Sequence, residues 1–286
     1  MKSIKDYRSI FIEKLQPIYD AVEAESFFYL ILEFKMKMKR IDLALQPDSK
    51  LMDEQLAEWD FLLQRLLQEV PIQYLLGRTH FYGLEFEVDE NVLIPRPETE
   101  ELVDWIVSDV KVQLSKELNI IDIGTGSGCI AISLSKNIPQ AQVAAVDFSE
   151  KAIEIARKNA GLNSVAVTFI RQNILEAEDL NMQLDIIVSN PPYVRNLEKA
   201  EIKRNVLEHE PHLALFVDDN DALLFYRKIA TLAQKNLKDN GKLYFEINQY
   251  LGKETVALLE DLGFEKITLR KDIYGNDRMI CCTKAN

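Results

Sequence analysis

The chain has 286 residues, a formal net charge of −12, three cysteines and three histidines. This length allows one or two domains. The acidic balance argues against a broad phosphate-binding surface, because Lys and Arg supply most non-specific affinity for nucleic acids. The spacing of the cysteines and histidines predicts neither a disulfide framework nor a metal site.

The apolar stretches are too short for a membrane protein. The longest uninterrupted apolar run covers residues 27–32, far fewer than the roughly 20 residues of a transmembrane helix. The start of the chain is charged and contains no apolar region of a signal peptide. We therefore expect a cytoplasmic, metal-free protein that does not contact a membrane.

The first 76 residues are predicted to be helical. Apolar residues recur at helical spacing up to residue 15, from about residue 20 to 45, and from about residue 52 to 70. Pro17 separates the first two stretches, and the segment has little glycine and no strand pattern. Because small helical bundles more often bind than catalyse, we predict a substrate-recognition domain over residues 1–76.

A short β-hairpin is predicted next. Residues 79–86 and 86–93 alternate apolar and polar side chains, with Gly83 between the two runs. We therefore predict a hairpin linker over residues 77–95 and a second domain over residues 96–286.

Two prolines stiffen the segment that opens this second domain. The acidic residues after Pro97 favour the first turn of a helix that runs to about residue 114. Arg96 lies between Pro95 and Pro97, where the chain is held extended and the guanidinium is expected to point outward. A capped helix start does not explain Arg96, so we predict that Arg96 contacts the substrate.

Strands and helices alternate from residue 118 onward, which predicts an α/β fold with a mainly parallel sheet covered on both faces. Predicted strands cover residues 118–123, 141–147, 165–171, 184–189, 242–248, 264–270 and 278–283. Predicted helices cover residues 128–138, 149–161, 220–239 and 251–262. The last two strands leave no room for a helix between them, so a hairpin adds one antiparallel strand to a seven-stranded mixed sheet. Residues 194–219 are predicted to form a long polar lid or binding loop.

A glycine-rich turn follows the first of these strands. It consists of Gly124, Thr125, Gly126, Ser127 and Gly128. The glycines let a ligand approach the backbone at the carboxyl end of the strand, although Cys129 departs from the dinucleotide fingerprint. About 20 residues later, Asp147 ends the second strand, where a carboxylate accepts hydrogen bonds from both ribose hydroxyls. A tight turn with a capping Asp is the alternative, but it leaves the third glycine unexplained.

The fourth strand leads into a turn whose composition suits an amino group. The turn consists of Asn190, Pro191, Pro192 and Tyr193. Its prolines fix two φ angles and remove two N–H donors, which leaves carbonyl acceptors, the Asn amide oxygen and a flat ring for a planar NH2 group. A plain strand-ending turn is the alternative. The shared sheet edge with Asp147 and the glycine loop favours a binding site.

These motifs together resemble the class I methyltransferases that act on amide or exocyclic amino nitrogens. Three further segments, residues 71–77, 94–100 and 274–278, make the resemblance more specific. With them, nearly the whole chain resembles the bacterial release-factor glutamine N5-methyltransferases. The resemblance implies a Rossmann-like class I methyltransferase fold and S-adenosylmethionine as cofactor. It also implies that the substrate is the glutamine of the Gly-Gly-Gln motif in peptide chain release factors.

Individual residues receive roles in this hypothesis. Cofactor contacts are expected from Gly124, Thr125, Gly126, Ser127, Gly128, Asp147, Asn173 and Asn190. Substrate contacts are expected from Arg96, Asn190, Pro191, Pro192 and Tyr193. The expected catalytic residues are Asn190 and Pro191, whose oxygens accept the amide hydrogens, and Tyr193, whose ring packs on the amide plane. Asn173 stands where many relatives carry an acidic residue for the adenine amino group.

Three other functions share parts of this pattern. An adenine-N6 or guanine-N2 methyltransferase of nucleic acids uses the same four-residue turn, but the acidic balance argues against a direct nucleic-acid partner. A non-catalytic S-adenosylmethionine-binding or scaffold protein is a second alternative, and the intact set of Gly124, Gly126, Gly128, Asp147 and Asn190 argues against it. A dinucleotide oxidoreductase disagrees with Cys129 and with the Asn-Pro-Pro-Tyr turn.

Overall fold

The computed structural model describes residues 1–111 and 117–285. Contacts divide the chain into two compact units. The first contains Met1–Gly77 and Lys203–His209, and the second contains Arg78–Ile202 and Glu210–Asn286. Among the helices of the described ranges, none combines the length and the apolar composition that a bilayer span requires.

The first unit is built mainly from helices. Its elements are β1 (Lys2–Ser3), α1 (Ile4–Leu15), α2 (Ala21–Met36), α3 (Arg40–Leu45), β2 (Lys50–Leu51), α4 (Asp53–Leu67), α5 (Ile72–Leu76) and, later in the chain, the helix Arg204–His209. The side-chain oxygens of Ser3 and Asp20 cap α1 and α2. The buried Trp59 ring meets Tyr7 and Phe28 edge-on, and this aromatic cluster joins α1, α2 and α4 in one core.

Two predictions for this unit are wrong in detail. The predicted helix over residues 20–45 is two helices, because Lys37 ends α2 in a left-handed conformation with φ 55°. The Asp42 side chain then accepts a hydrogen bond of 2.7 Å from the Lys39 N–H and begins α3. The unit also contains a short antiparallel pair between β1 and β2, where the sequence predicts no strand.

The second unit alternates strands and helices. The helix Arg204–His209 of the first unit is numbered α9. In chain order, the elements of the second unit are β3 (Arg78–Phe81), β4 (Leu84–Glu87), α6 (Pro97–Lys111), β5 (Leu118–Ile123), α7 (Cys129–Asn137), β6 (Ala141–Asp147), α8 (Glu150–Leu162), β7 (Thr168–Arg171), β8 (Leu184–Ser189), β9 (Val194–Arg195), α10 (His212–Leu215), β10 (Phe216–Val217), α11 (Leu224–Asn236), β11 (Leu237–Glu246), α12 (Gly252–Asp261), β12 (Phe264–Lys271) and β13 (Asp277–Lys284). Short 3-10 helices cover Asn196–Glu201 and Asp219–Asp221. The predicted hairpin is formed by β3 and β4, and both turn residues, Tyr82 and Gly83, have positive φ.

Seven strands form one sheet in the order β12-β13-β11-β8-β5-β6-β7. The strands β7, β6, β5, β8 and β11 are parallel, and β13 runs antiparallel to both β11 and β12. From β5 the chain first adds β6 and β7 on one side of that strand. It then crosses to the other side of β5 and adds β8 and β11. The boundary between β5 and β8 is therefore the topological switch point, where open α/β sheets bind ligands. The predicted α/β class and the seven-stranded mixed sheet are confirmed.

Helices cover both faces of this sheet. On one face, Leu102 of α6 and Ile132 of α7 share a buried cluster with Ile120 of β5. On the other face, Ile229 of α11 shares a second cluster with Ile121. Ile120 and Ile121 belong to different clusters because successive strand residues point to opposite faces.

Some predicted elements differ in extent. β7 begins at Thr168 rather than residue 165, because the Val165 N–H donates to the Ala160 carbonyl at 3.1 Å and the chain is still turning from α8. The second hairpin strand ends at Glu87 rather than residue 93. The predicted end of α6 near residue 114 lies outside the described residues.

The connection over residues 194–219 is more ordered than the predicted polar loop. β9 and β10 pair in parallel, and the segment between them contains α9, α10 and a 3-10 helix. These short elements satisfy backbone hydrogen bonds that an irregular loop would leave to solvent.

Candidate active site

Strand register brings the predicted site residues to one edge of the sheet. Ser189 of β8 pairs with Ile123 of β5, and Ile123 pairs with Val146 of β6. The residues that follow these three are Asn190, Gly124 and Asp147. Because neighbouring strands lie about 4.8 Å apart, the backbones of Asn190 and Asp147 are separated by roughly 10 Å.

The glycine loop and Asp147, here called the cofactor edge, are joined by backbone hydrogen bonds. The N–H groups of Gly124 and Thr125 donate to the Val146 carbonyl at 2.8 and 3.0 Å. Gly126 has φ 54°, and its N–H donates to Asp147 Oδ2 at 2.8 Å. The left-handed backbone required at Gly126 explains why the loop needs glycine there.

The third glycine has a packing reason that the sequence argument overlooks. Gly128 has φ 83° at the start of α7, and a Cβ there would lie 2.9 Å from Ile132 Cδ1 and 3.1 Å from Ala156 Cβ. A glycine is therefore required for α7 to pack on α8, with or without a ligand. The claim that a plain turn leaves this glycine unexplained is wrong.

The Asp147 carboxylate is preorganised and keeps acceptor capacity. Oδ2 accepts from the Gly126 N–H and Oδ1 from the Ser149 N–H, each at 2.8 Å. Burial raises the pKa of Asp147 above its usual range, and these N–H donors oppose that shift. Each carboxylate oxygen has a second lone pair, so both can accept from a vicinal diol.

Asn173 follows β7 at the same sheet edge, but its side chain is already engaged. Its Oδ1 accepts from the Leu175 N–H at 3.1 Å, and its Nδ2 donates to Glu176 Oε1 at 2.9 Å. The Gln172 N–H donates to the Asp147 carbonyl at 2.9 Å and ties this segment to the cofactor edge. The predicted adenine contact of Asn173 stays a prediction, and one lone pair of Oδ1 remains for it.

The turn Asn190–Pro191–Pro192–Tyr193, here called the amide-binding turn, is fixed at its start by Ser189. The Ser189 hydroxyl donates to the Ile123 carbonyl at 2.6 Å, which locks the end of β8 to β5. Asn190 Nδ2 donates to Thr99 Oγ1 of α6 at 3.4 Å. Within the described residues, Asn190 Oδ1 and the Pro191 carbonyl accept no hydrogen bond from the protein, so two acceptors remain available.

Tyr193 is held at both its ends. Its hydroxyl donates to Glu246 Oε1 at 3.1 Å, and its carbonyl accepts from Asn248 Nδ2 at 2.9 Å. Burial and the neighbouring Glu246 raise the pKa of the Tyr193 phenol, so this hydroxyl remains a donor. Glu246 therefore fixes the hydroxyl end of the ring, and Asn248 fixes the backbone of Tyr193.

Arg96 is partly exposed but has a protein partner. Its guanidinium forms an ion pair with Glu210, whose side chain is only 1% exposed. Glu210 also accepts from the Ile94 N–H at 3.2 Å. The expected outward guanidinium is only partly exposed, because the buried Glu210 holds it, and the substrate contact of Arg96 stays a prediction.

Sequence reasoning missed several residues that build the site. Thr99, Glu246 and Asn248 anchor the amide-binding turn. Asn159 is fully buried and donates to the Ser127 carbonyl, while Phe148 next to Asp147 is 57% exposed. Two features of the sequence could have indicated these residues: a lone Glu at the end of the apolar run of β11, and an aromatic residue directly after Asp147.

Asp122 is a further buried acid below the glycine loop. Its Oδ2 accepts from the Thr125 hydroxyl at 2.6 Å. Burial raises the pKa of Asp122 to about 7, although the Thr125 hydroxyl opposes the shift. The interruption of the apolar run of β5 by an Asp was visible in the sequence and marks this position.

A separate cavity of about 860 Å³ lies near the amino ends of β5 and β6. Its lining includes Asn119, Val143 and Arg157 but none of the predicted site residues. Ligands of open α/β sheets bind at the opposite, carboxyl ends of the strands. The cofactor edge and the amide-binding turn therefore remain the candidate active site.

Two family models match separate parts of the chain. A model described as the PrmC N-terminal domain matches residues 12–77. A model described as the methyltransferase small domain matches residues 103–214, which include the cofactor edge and the amide-binding turn.

Individual proteins match most of the chain. A release factor glutamine methyltransferase of Flavobacterium psychrophilum is 64% identical over 97% of this chain and 98% of that protein. One of Bacteroides thetaiotaomicron is 44% identical over 95% and 97%. A methyltransferase structure from Pyrococcus furiosus has a TM-score of 0.51 at 17% identity, covers 82% of this chain and all of that one, and supports the fold alone. The chain therefore belongs to the family of release factor glutamine methyltransferases, S-adenosylmethionine-dependent enzymes built on this α/β fold.

Proposed function

We propose that this protein transfers a methyl group from S-adenosylmethionine to the side-chain amide nitrogen, N5, of the glutamine in the Gly-Gly-Gln motif of peptide chain release factors. The observation that carries the proposal is the pair of available acceptors in the amide-binding turn, one strand away from the glycine loop and two strands away from Asp147. The reaction takes place in the cytoplasm, the location expected from the sequence.

The residues at the cofactor edge fit S-adenosylmethionine. The two Asp147 oxygens each keep a lone pair for a ribose hydroxyl. Apart from the two chain neighbours of Gly126, the described residues place no heavy atom within 4 Å of where its Cβ would be. The exposed ring of Phe148 offers an apolar surface to the adenine, next to the predicted contact from Asn173. When bound, the cofactor supplies a methyl group that its positively charged sulfur already activates.

The amide-binding turn orients the glutamine. An amide nitrogen is a weak nucleophile because its lone pair is delocalised into the carbonyl group. Asn190 Oδ1 and the Pro191 carbonyl accept its two N–H hydrogens, which fixes the amide plane and increases electron density on the nitrogen. Pro192 keeps the turn rigid, and the Tyr193 ring packs against the amide plane.

Positioning accounts for most of the catalysis in this proposal. Holding the two reactants in a reactive geometry removes much of the entropic cost of a bimolecular reaction. The extra proton of the product leaves to water, so Asn190 and Pro191 act as hydrogen-bond acceptors rather than as bases. Arg96 lies three residues before Thr99 in the sequence, and it contacts the release factor through the exposed part of its guanidinium.

The test is to locate the transferred methyl group. The protein is incubated with isotopically labelled S-adenosylmethionine in three parallel reactions, which contain purified release factor, RNA or DNA. Mass spectrometry is expected to place the label on the glutamine of the Gly-Gly-Gln motif. A release factor with Asn in place of that glutamine is the matched control and is expected to stay unlabelled. Label on adenine or guanine, with none on the release factor, would contradict the proposal.

A further inference from the structure

Three side chains from separate elements form a chain of hydrogen bonds behind the amide-binding turn. The Thr99 hydroxyl of α6 donates to Glu246 Oε2 at the end of β11, 2.6 Å away. Asn190 Nδ2 donates to Thr99 Oγ1 at 3.4 Å. Thr99 and Glu246 are 2% and 1% exposed, so water does not compete with these bonds.

The direction of these bonds follows from the number of hydrogens present. A carboxylate has no hydrogen to donate, and a threonine hydroxyl has one. Because Thr99 gives its hydrogen to Glu246, its oxygen can only accept from Asn190. The Nδ2 end of the Asn190 amide therefore faces Thr99, and the Oδ1 end faces away from it.

Glu246 is placed to remain an acceptor. Its Oε1 accepts from the Tyr193 hydroxyl at 3.1 Å, while Oε2 accepts from Thr99. Burial raises the pKa of Glu246, and the Thr99 hydroxyl, the positive charge of Arg278 and the Tyr193 hydroxyl oppose that shift. Arg278 is itself fixed by Asp272, whose Oδ2 accepts from its Nε at 3.1 Å.

We propose that Thr99 and Glu246 are positioning residues that fix which end of the Asn190 amide faces the substrate nitrogen. The two ends of an Asn amide have nearly the same shape, so packing alone does not distinguish them. A flipped Asn190 would present its NH2 group to the NH2 group of the substrate, and two donors would meet. The hydrogen-bond chain removes this wrong orientation. The inference rests on the proposed function, because it assigns a role within the same amide-binding turn.

The main test is Thr99→Val, which keeps the shape of the side chain and removes the acceptor. The kcat for methylation of release factor is expected to fall about tenfold, as expected for the loss of one oriented hydrogen bond to a reacting group. The KM for release factor and the calorimetric affinity for S-adenosylmethionine are expected to stay within about twofold of wild type. Thr99→Ser restores the hydroxyl and is expected to recover most of the lost kcat.

The matched control is Thr255→Val in α12. Thr255 is also fully buried, and its hydroxyl donates to the Leu251 carbonyl at 2.7 Å, outside the hydrogen-bond chain of the turn. Its replacement is expected to lower Tm without changing kcat. A general loss of stability would lower the activity of both variants, whereas loss of amide orientation lowers only that of Thr99→Val.

Glu246→Gln gives a second test that does not depend on the folding of Thr99→Val. A Gln side chain can donate to Thr99 Oγ1, which turns the Thr99 hydrogen toward Asn190 and favours the flipped amide. We expect a fall in kcat of about tenfold or more, with retained S-adenosylmethionine affinity. Wild-type kcat in Thr99→Val would overturn the inference, as would failure of Thr99→Ser to recover activity. A wild-type protein that does not label release factor would overturn the proposed function instead, and the inference with it.

Discussion

The cofactor edge and the amide-binding turn lie at the same end of the sheet but are held in different ways. The cofactor edge is held by backbone N–H groups of the glycine loop: Gly124 donates to the Val146 carbonyl and Gly126 to the Asp147 carboxylate. The amide-binding turn is held by side chains distant in sequence, Thr99 and Glu246 among them. The first arrangement follows from the pairing of neighbouring strands, and the second depends on side chains from α6 and β11.

This difference has a physical reason. A nucleotide-like cofactor presents hydroxyls and a flat ring, which a carboxylate and a glycine-rich backbone accommodate wherever parallel strands end. In the proposed function the substrate amide nitrogen donates to two acceptors, the backbone carbonyl of Pro191 and the side-chain oxygen of Asn190. The second acceptor is a side chain, so further side chains are needed to orient it.

The sharpest way to separate the two regions is Asn190→Ala. We expect kcat for release-factor methylation to fall about a thousandfold, roughly 4 kcal/mol, because the substrate amide loses a preorganised acceptor. The S-adenosylmethionine affinity is expected to stay near wild type by calorimetry, because Asn190 is only one of the expected cofactor contacts and the hydrogen bonds of the cofactor edge do not involve it. Full methylation activity would remove the turn from the site, and a parallel loss of cofactor affinity would show that the two regions are not independent.

The same difference decides how much of the molecule could be predicted from sequence. The alternation of elements, the switch point and the positions of Asp147 and Asn190 follow from periodicity and from the rule that parallel strands end at one edge. The partners of the turn do not follow, because Thr99 and Glu246 lie 91 and 56 residues from Asn190 in sequence. Arg96 shows the opposite error: its flanking prolines suggested a guanidinium directed to solvent, whereas the buried Glu210 neutralises it.

Gly128→Ala tests whether close packing of α7 on α8 requires glycine at the end of the cofactor edge. The substitution introduces a Cβ at φ 83°, 2.9 Å from Ile132 Cδ1. We expect a loss of about 3 kcal/mol in the free energy of unfolding, from left-handed strain and overpacking together. Gly126→Ala is the matched control, because its φ is 54° but, beyond its chain neighbours, no described residue has a heavy atom within 4 Å of the new methyl group. It is expected to cost about 1 kcal/mol, as measured by urea denaturation, and equal losses in both variants would contradict the packing explanation.

Asp147→Ala is expected to have the opposite pattern to Asn190→Ala. Loss of a carboxylate that accepts ribose hydroxyls is expected to weaken S-adenosylmethionine binding roughly thirtyfold, about 2 kcal/mol. At saturating cofactor, kcat is expected to change much less, because the amide-binding turn is intact. Asp179→Ala is the control, since Asp179 also accepts a backbone N–H, from Asn181 at 2.7 Å, in an exposed loop. Calorimetry that shows unchanged affinity in Asp147→Ala would count against the ribose contact.

Tyr193→Phe is expected to have the smallest effect. It separates the role of the Tyr193 ring from the role of its hydroxyl. The ring that we propose to pack on the substrate amide is kept, while the hydroxyl bonded to Glu246 at 3.1 Å is lost. We expect kcat to fall roughly fivefold, about 1 kcal/mol, with little change in the KM for release factor. Tyr193→Leu, which keeps apolar volume but not the flat ring, is expected to lose more. If Phe and Leu were equally impaired, the hydroxyl and its bond to Glu246 would be the important feature, and the role of Tyr193 would change from packing on the substrate to holding Glu246 in place for Thr99.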